Sequence, residues 1–265
     1  MRASRFIGIT ACLPILMSLV SLPLAYGAAP HIALTENPVA RLLFLILVTS
    51  ILLALISVML RWDWRIKYYG IALLFGASIS LLAIVPLLTL LIFGSLALWL
   101  KLSILAFYLI SHIMWCRKFS ILYDDAFENE ALRNILYEEE ADAIYYMRSA
   151  DHYLLNKYYN FSQMPRDRYF ALFILLALAL IPMMSSLRKF VGVPFPHAFL
   201  LVGMLPVSWM SFGFAFRAYL ICYRYPAKIK HATGKEVLVD VAGKHKSVDK
   251  KSLRANRQKK GGRSR

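Results

Sequence analysis

Residues 68–116, YYGIALLFGASISLLAIVPLLTLLIFGSLALWLKLSILAFYLISHIMWC, contain one charged side chain, Lys101. As a single helix this stretch would be roughly 75 Å long at 1.5 Å per residue, more than twice the ~30 Å hydrocarbon core of a bilayer. It therefore reads as two membrane-crossing helices, Tyr69–Leu90 and Leu96–Trp115. The tight turn between them falls in the stretch from Pro86 to Ser95.

Working outward, runs of the same character cover Phe6–Ala25, Leu42–Leu60, Tyr169–Ser185 and Ala198–Leu220. Apolar residues make up 59% of the 265 and charged residues 17%, far from the balance of a soluble domain. The expected fold class is an all-α polytopic membrane protein with six transmembrane helices, or five if the first is removed. The expected division is 1–27 as signal peptide or first span, 28–116 with three spans, and 117–168 as a cytoplasmic acidic helical segment. Two spans in 169–222 and a basic, largely disordered tail over 223–265 complete it.

Charge decides the orientation. With the N-terminus inside, the inner segments (1–5, 61–67, 117–168 and 223–265) carry 26 Lys and Arg, and the outer ones carry four. The reverse would export nearly every positive charge, against the positive-inside bias. The expected location is thus a bacterial inner membrane, multi-pass, with the C-terminus in the cytoplasm. MRASR, the apolar Phe6–Leu22 and the Ala25-Tyr26-Gly27 step also fit a signal peptide, so two readings of the first segment stand.

Residues 121–160 hold nine acids against three bases in a chain of net charge +16. Neither Gly nor Pro occurs between Cys116 and Met164, which argues for helix. Asp125 with Glu128 resembles a capping box, and the apolar stripe predicts helices over 126–138 and 143–160, broken at Glu138-Glu139-Glu140. These glutamates are candidates for binding a basic partner, the chain's own tail among them. Clustered carboxylates near His152 lack the Glu-x-x-His pattern of helical metal sites, and no metal or other cofactor is expected.

The tail carries fourteen Lys and Arg against three acids, with clusters at Lys250-Lys251 and Lys259-Lys260. Anionic lipid is its expected partner, at roughly 1 kcal/mol per basic residue near the surface. Nucleic acid is disfavoured because aromatic side chains for base stacking stop at Tyr225. Val237, Val239 and Val241 alternate with polar or outward positions and allow one short strand.

Three intramembrane polar residues remain: Lys101 near an outer end, His112 near an inner end, and Arg217 in the last span. Lys101 and Arg217 read as side chains snorkelling to an interface, and His112 as a packed or hydrogen-bonded histidine. No nucleophile elbow, zinc-protease helix or phosphate loop occurs. The function expected from these features is non-enzymatic: a component of a membrane complex with other membrane proteins and a cytoplasmic protein partner. A transporter subunit and a membrane enzyme with an unrecognised site are the alternatives.

Overall fold

The computed structural model describes residues 3–148, 150–151, 175, 189 and 191–240. The expected span Tyr169–Ser185 lies outside these apart from Leu175, and Lys250, Lys251, Lys259 and Lys260 lie outside them altogether. Among the described residues five helices are long and apolar enough to cross a membrane: Ala3–Ala28, Pro38–Met59, Ile66–Phe93, Leu98–Glu128 and Leu205–Thr233. The chain is built as a membrane-embedded helical bundle.

Helix α1 (Ala3–Ala28) and α2 (Pro38–Met59) pair through small side chains. The buried positions of α1 include Ser4, Ala11, Ser18, Ser21, Ala25 and Ala28, and those of α2 include Ala40, Ser50 and Ser57. In lipid, close backbone approach of this kind replaces the hydrophobic drive that water would supply. The outer faces keep Leu45, Leu52 and Leu55 exposed, as lipid-facing side chains should be. Asn37 caps α2 by accepting from the Val39 and Ala40 amides at 3.0 and 3.3 Å. Its own amide donates to the Ala25 carbonyl at 2.9 Å, which closes the α1–α2 turn.

The opening stretch forms α3 (Ile66–Leu74), a 3₁₀ segment (Phe75–Ser80) and α4 (Leu81–Phe93), then turns over Gly94–Ala97 into α5 (Leu98–Glu128). The turn overlaps the end of the expected stretch at Gly94 and Ser95 and runs two residues past it. The end of α5 departs further: the helix runs thirteen residues past Trp115, as one element of 31 residues. Its buried face is continuous across the supposed boundary through Tyr108, His112, Trp115, Phe119, Tyr123 and Ala126, spaced by three or four. Asp125 therefore lies inside a helix and caps nothing. The cap is Asn129, whose side chain accepts from the Ala131 and Leu132 amides to start α6 (Glu130–Leu136).

The expected pair of acidic helices is corrected over 137–146, while residues 148, 150 and 151 are helical and 152–160 lie outside the described residues. Tyr137–Glu139 is strand β1 and Ile144–Tyr146 is strand β2, paired antiparallel with Tyr137 opposite Tyr146. Strand β3 (Val237–Val239) runs parallel to β2, so the first part of the basic tail joins the acidic segment in one three-stranded sheet. Val237 and Val239 point inward, as their alternation suggested. The fold is mostly helical without being all-α, and no helical hairpin occupies the described part of 117–168.

The last span is broken and displaced. Helix α7 (Phe195–Gly203) stops at Met204, and α8 (Leu205–Tyr219) restarts with Pro206 in its first turn, where a missing N–H costs nothing. A π-helical segment, Leu220–Arg224, then leads into α9 (Tyr225–Thr233). There the Tyr225 amide reaches the Leu220 carbonyl five residues back, and Pro226, which has no N–H, leaves the carbonyl of Ile221 unserved. The Tyr137 hydroxyl donates to that carbonyl instead, at 2.8 Å. Gly234, in the left-handed region at φ 72°, ends α9.

The helix ends sort into two layers. One holds the α1–α2 turn, the Gly94–Ala97 turn and the start of α7, joined by Ser95 N to Val191 O at 2.9 Å and His197 Nε2 to Leu24 O at 2.7 Å. The other holds the start of α1, where Phe6 stacks on Tyr69 at 5.8 Å, together with the sheet. The largest buried cluster lies in this second layer and joins Tyr69, Trp115, Phe119 and Tyr123 to Tyr137, Tyr146, Val237 and Val239.

Candidate functional site

Arg217 enters the apolar bundle near the end of α8 and does not snorkel, which corrects the sequence reading. It is 8% exposed. One terminal guanidinium nitrogen pairs with Asp151 Oδ2. Its Nε donates to the Tyr123 hydroxyl at 2.9 Å and, more distantly, to Asp151 Oδ1 at 3.4 Å. Tyr123 in turn donates to Asp151 Oδ1 at 2.6 Å. Asp151 is 2% exposed and Tyr123 fully buried, so a cation, an anion and a hydroxyl satisfy one another away from water. The network joins α5, α8 and the segment that follows β2. The buried Tyr146 hydroxyl has no hydrogen-bond partner among the described residues, and burial pushes its ionisation well above the usual tyrosine range.

The signal for this site was half present in the sequence. A charge in an apolar run requires a partner, but 66 residues separate Asp151 from Arg217 and no spacing rule connects them. Asp151 looked like one of nine surface acids.

A second polar cluster lies deeper between α5 and α8. His112 Nδ1 sits 2.7 Å from the Tyr108 carbonyl, which only accepts, so this nitrogen carries the proton. With the imidazole neutral, Nε2 accepts from the Ser208 hydroxyl at 2.8 Å and Ser208 in turn accepts from the Tyr108 hydroxyl at 2.7 Å, a chain that runs in one direction. A serine donating to a neutral histidine is also how a nucleophile is activated. Here Ser208 is fully buried and is not among the residues lining the described cavity. Trp209 Nε1 to Ser111 Oγ at 3.0 Å extends the same α5–α8 seam, and Ser211 Oγ to the Gly76 carbonyl at 2.7 Å ties α8 to the 3₁₀ segment. The geometry is that of a lock between helices.

That cavity, of about 500 Å³, lies between α4, α5 and α7 and is lined by Leu100, Ile104, Phe107, Tyr108, Val191 and Leu201 among others. Lys101, the third intramembrane candidate, is half-buried in the first turn of α5 beside it.

The acidic candidates fall at the sheet's open edge. Glu138 is half-buried, and Glu139 and Glu140 are exposed. Lys235, from the tail, places Nζ 2.8 Å from both Glu139 Oε1 and the Glu140 carbonyl. Lys230 pairs with Glu236, whose carboxyl it holds below the ordinary glutamate range. Asp124 gathers the Ser120 and Tyr225 hydroxyls at 2.8 and 2.7 Å and Arg224 at 3.2 Å, tying α5 to the junction with α9. Among the described residues no three of His, Cys, Asp and Glu come together as metal ligands.

Comparison with protein-family models, with curated proteins and with solved structures gave no match to this chain.

Proposed function

We propose that this chain is a non-enzymatic component of a bacterial inner-membrane complex, with its C-terminus in the cytoplasm and its sheet serving as a docking platform. The observation that carries the reading is the joining of the acidic segment to the start of the basic tail in one sheet, braced on α5 and α8 through Asp151, Tyr123 and Arg217. Such bracing turns a short soluble segment, too small for its own core, into a surface held in place by the membrane helices. Its exposed edge is acidic, with Asp142 beside the Glu139 that already holds Lys235, and this is where a basic partner would engage. A secretion or transfer machine and an immunity-type membrane protein both fit this reading. The rest of the tail takes anionic lipid headgroups.

A transporter would need its intramembrane titratable groups free to exchange partners. His112 and Arg217 are instead held by several protein hydrogen bonds each, which favours the structural reading. Crosslinking in native membranes, followed by purification through the C-terminus, is expected to recover a stoichiometric protein partner. Replacing Glu138, Glu139 and Glu140 with Gln is expected to weaken that recovery. A lone monomer would overturn the proposal.

The sidedness makes its own prediction. Reporters active only outside the cytoplasm should work when fused after residues 35, 93 and 192 and stay silent after 64, 140 and 240. Activity at 140 would reverse the map. The small-residue seam of α1 against α2 favours a retained first span, so the mature chain should begin before Ala28 on N-terminal sequencing.

A further inference from the structure

Lys101 is the intramembrane residue that neither polar network uses, and it follows the cavity-lining Leu100 in the first turn of α5. Leu100 and Ile104 flank it along α5 and line the cavity, while Ile104 and Tyr108 follow it by three and seven residues on the same helix face. Lys189, exposed, precedes the lining residue Val191 by two. The layer on this side is poor in positive charge. Its segments carry only Arg41, Lys101, Arg188 and Lys189, so the cations beside the cavity are a concentration against a sparse background.

The cavity's depth points to the occupant. Helix α5 starts at Leu98, and the lining residues on it run from Leu100 to Tyr108. At 1.5 Å per residue the cavity reaches about 15 Å from the helix start, which is half of the ~30 Å hydrocarbon core and so one leaflet. The wall offers almost nothing polar. The Ser103 hydroxyl donates to the Trp99 carbonyl at 2.8 Å, and the Tyr108 hydroxyl is engaged with Ser208. Water gains too few hydrogen bonds to fill such a space. Exposed Leu98, Leu102 and Phe107 continue the apolar surface outward into the lipid.

We propose that this cavity binds one acyl chain of an anionic phospholipid, with Lys101 and Lys189 holding its phosphate at the interface. The chain fills the leaflet-deep slot, and the lysines supply charge-assisted hydrogen bonds that a neutral lipid does not repay as well. The proposal rests only on the chain spanning a membrane and is independent of any protein partner.

The test uses the full-length protein in nanodiscs of phosphatidylglycerol or phosphatidylcholine, each with a trace of the same lipid bearing a tail diazirine. Crosslinks mapped by mass spectrometry should concentrate in 96–107 and 191–205, several-fold above the lipid-facing Leu45, Leu52 and Leu55 of α2, and only in the anionic discs. Leu201→Trp should remove the cavity crosslinks and leave those on α2. Lys101→Gln, which leaves the packing of the bundle intact, should lower the phosphatidylglycerol signal to the phosphatidylcholine level. Equal labelling of cavity and α2 would overturn the site. Equal labelling in both lipids, or no effect of Lys101→Gln, would overturn the headgroup assignment.

Discussion

Replacing Arg217 with Met should destabilise the full-length protein by about 3–5 kcal/mol, because it leaves a buried carboxylate with no countercharge. Asp151 is 2% exposed and, among the described residues, would retain the Tyr123 hydroxyl as its one side-chain donor. Against a total stability of roughly 5–15 kcal/mol, that is a large part of the margin. Asp151→Leu should cost a similar amount by stranding the guanidinium. The double variant, Arg217→Met with Asp151→Leu, should recover most of the loss, since removing both charges also removes both desolvation penalties. Tyr123→Phe sits between these, deleting one donor and one acceptor for about 1–3 kcal/mol. Thermal unfolding in detergent would rank the four, and protease cleavage within 137–151 would report whether the sheet has left the bundle. If both single charge variants melt with the parent, Arg217 and Asp151 do not form the brace described above.

The parts of this fold that hydropathy governs were legible in the sequence. The hairpin turn at Gly94–Ala97 and the strand at Val237–Val239 follow from local pattern alone. The end of α5 was misplaced because hydropathy stops at Trp115 while packing does not. Phe119, Tyr123 and Ala126 carry the buried stripe onward, beneath a surface that turns polar at Arg117. The glutamate run reads as a break between helices, whereas Tyr137–Glu139 is a strand because β2 pairs with it, Tyr146 opposite Tyr137, and β2 is held on its other side by β3 from far along the chain. The adjacent glutamates give β1 no apolar alternation to announce it, unlike the valines of β3. The polar sites were legible to the same degree. His112 and Arg217 stood out as costly residues, but Ser208, Asp151 and Tyr123 became partners only once the helices were assembled.

Gly213→Ala should destabilise the protein by about 1–3 kcal/mol, opposite in sign to the ordinary gain of up to ~1 kcal/mol when Ala replaces Gly inside a helix. A Cβ at this position would collide with the edge of the Phe119 ring and stand 2.9 Å from Trp115 Nε1. Neither ring has room to retreat. Phe119 is 1% exposed and packs on Phe214 at 6.0 Å, and Trp115 stacks on Trp209 at 6.2 Å. Relief therefore requires α8 to move away from α5, and that motion lengthens the Ser208–His112 and Ser208–Tyr108 hydrogen bonds that lock the same seam. Val in place of Gly213 should cost more than Ala. Phe119→Leu in the Ala background should recover part of the loss, a coupling that distant sites would not display. Gly8 in α1 supplies the control, because a Cβ there meets nothing within 4 Å and its Ala variant should be neutral or mildly stabilising. Unfolding curves measured side by side decide the matter: if the Gly213 and Gly8 variants shift alike, α5 and α8 are not in backbone-close contact at this point.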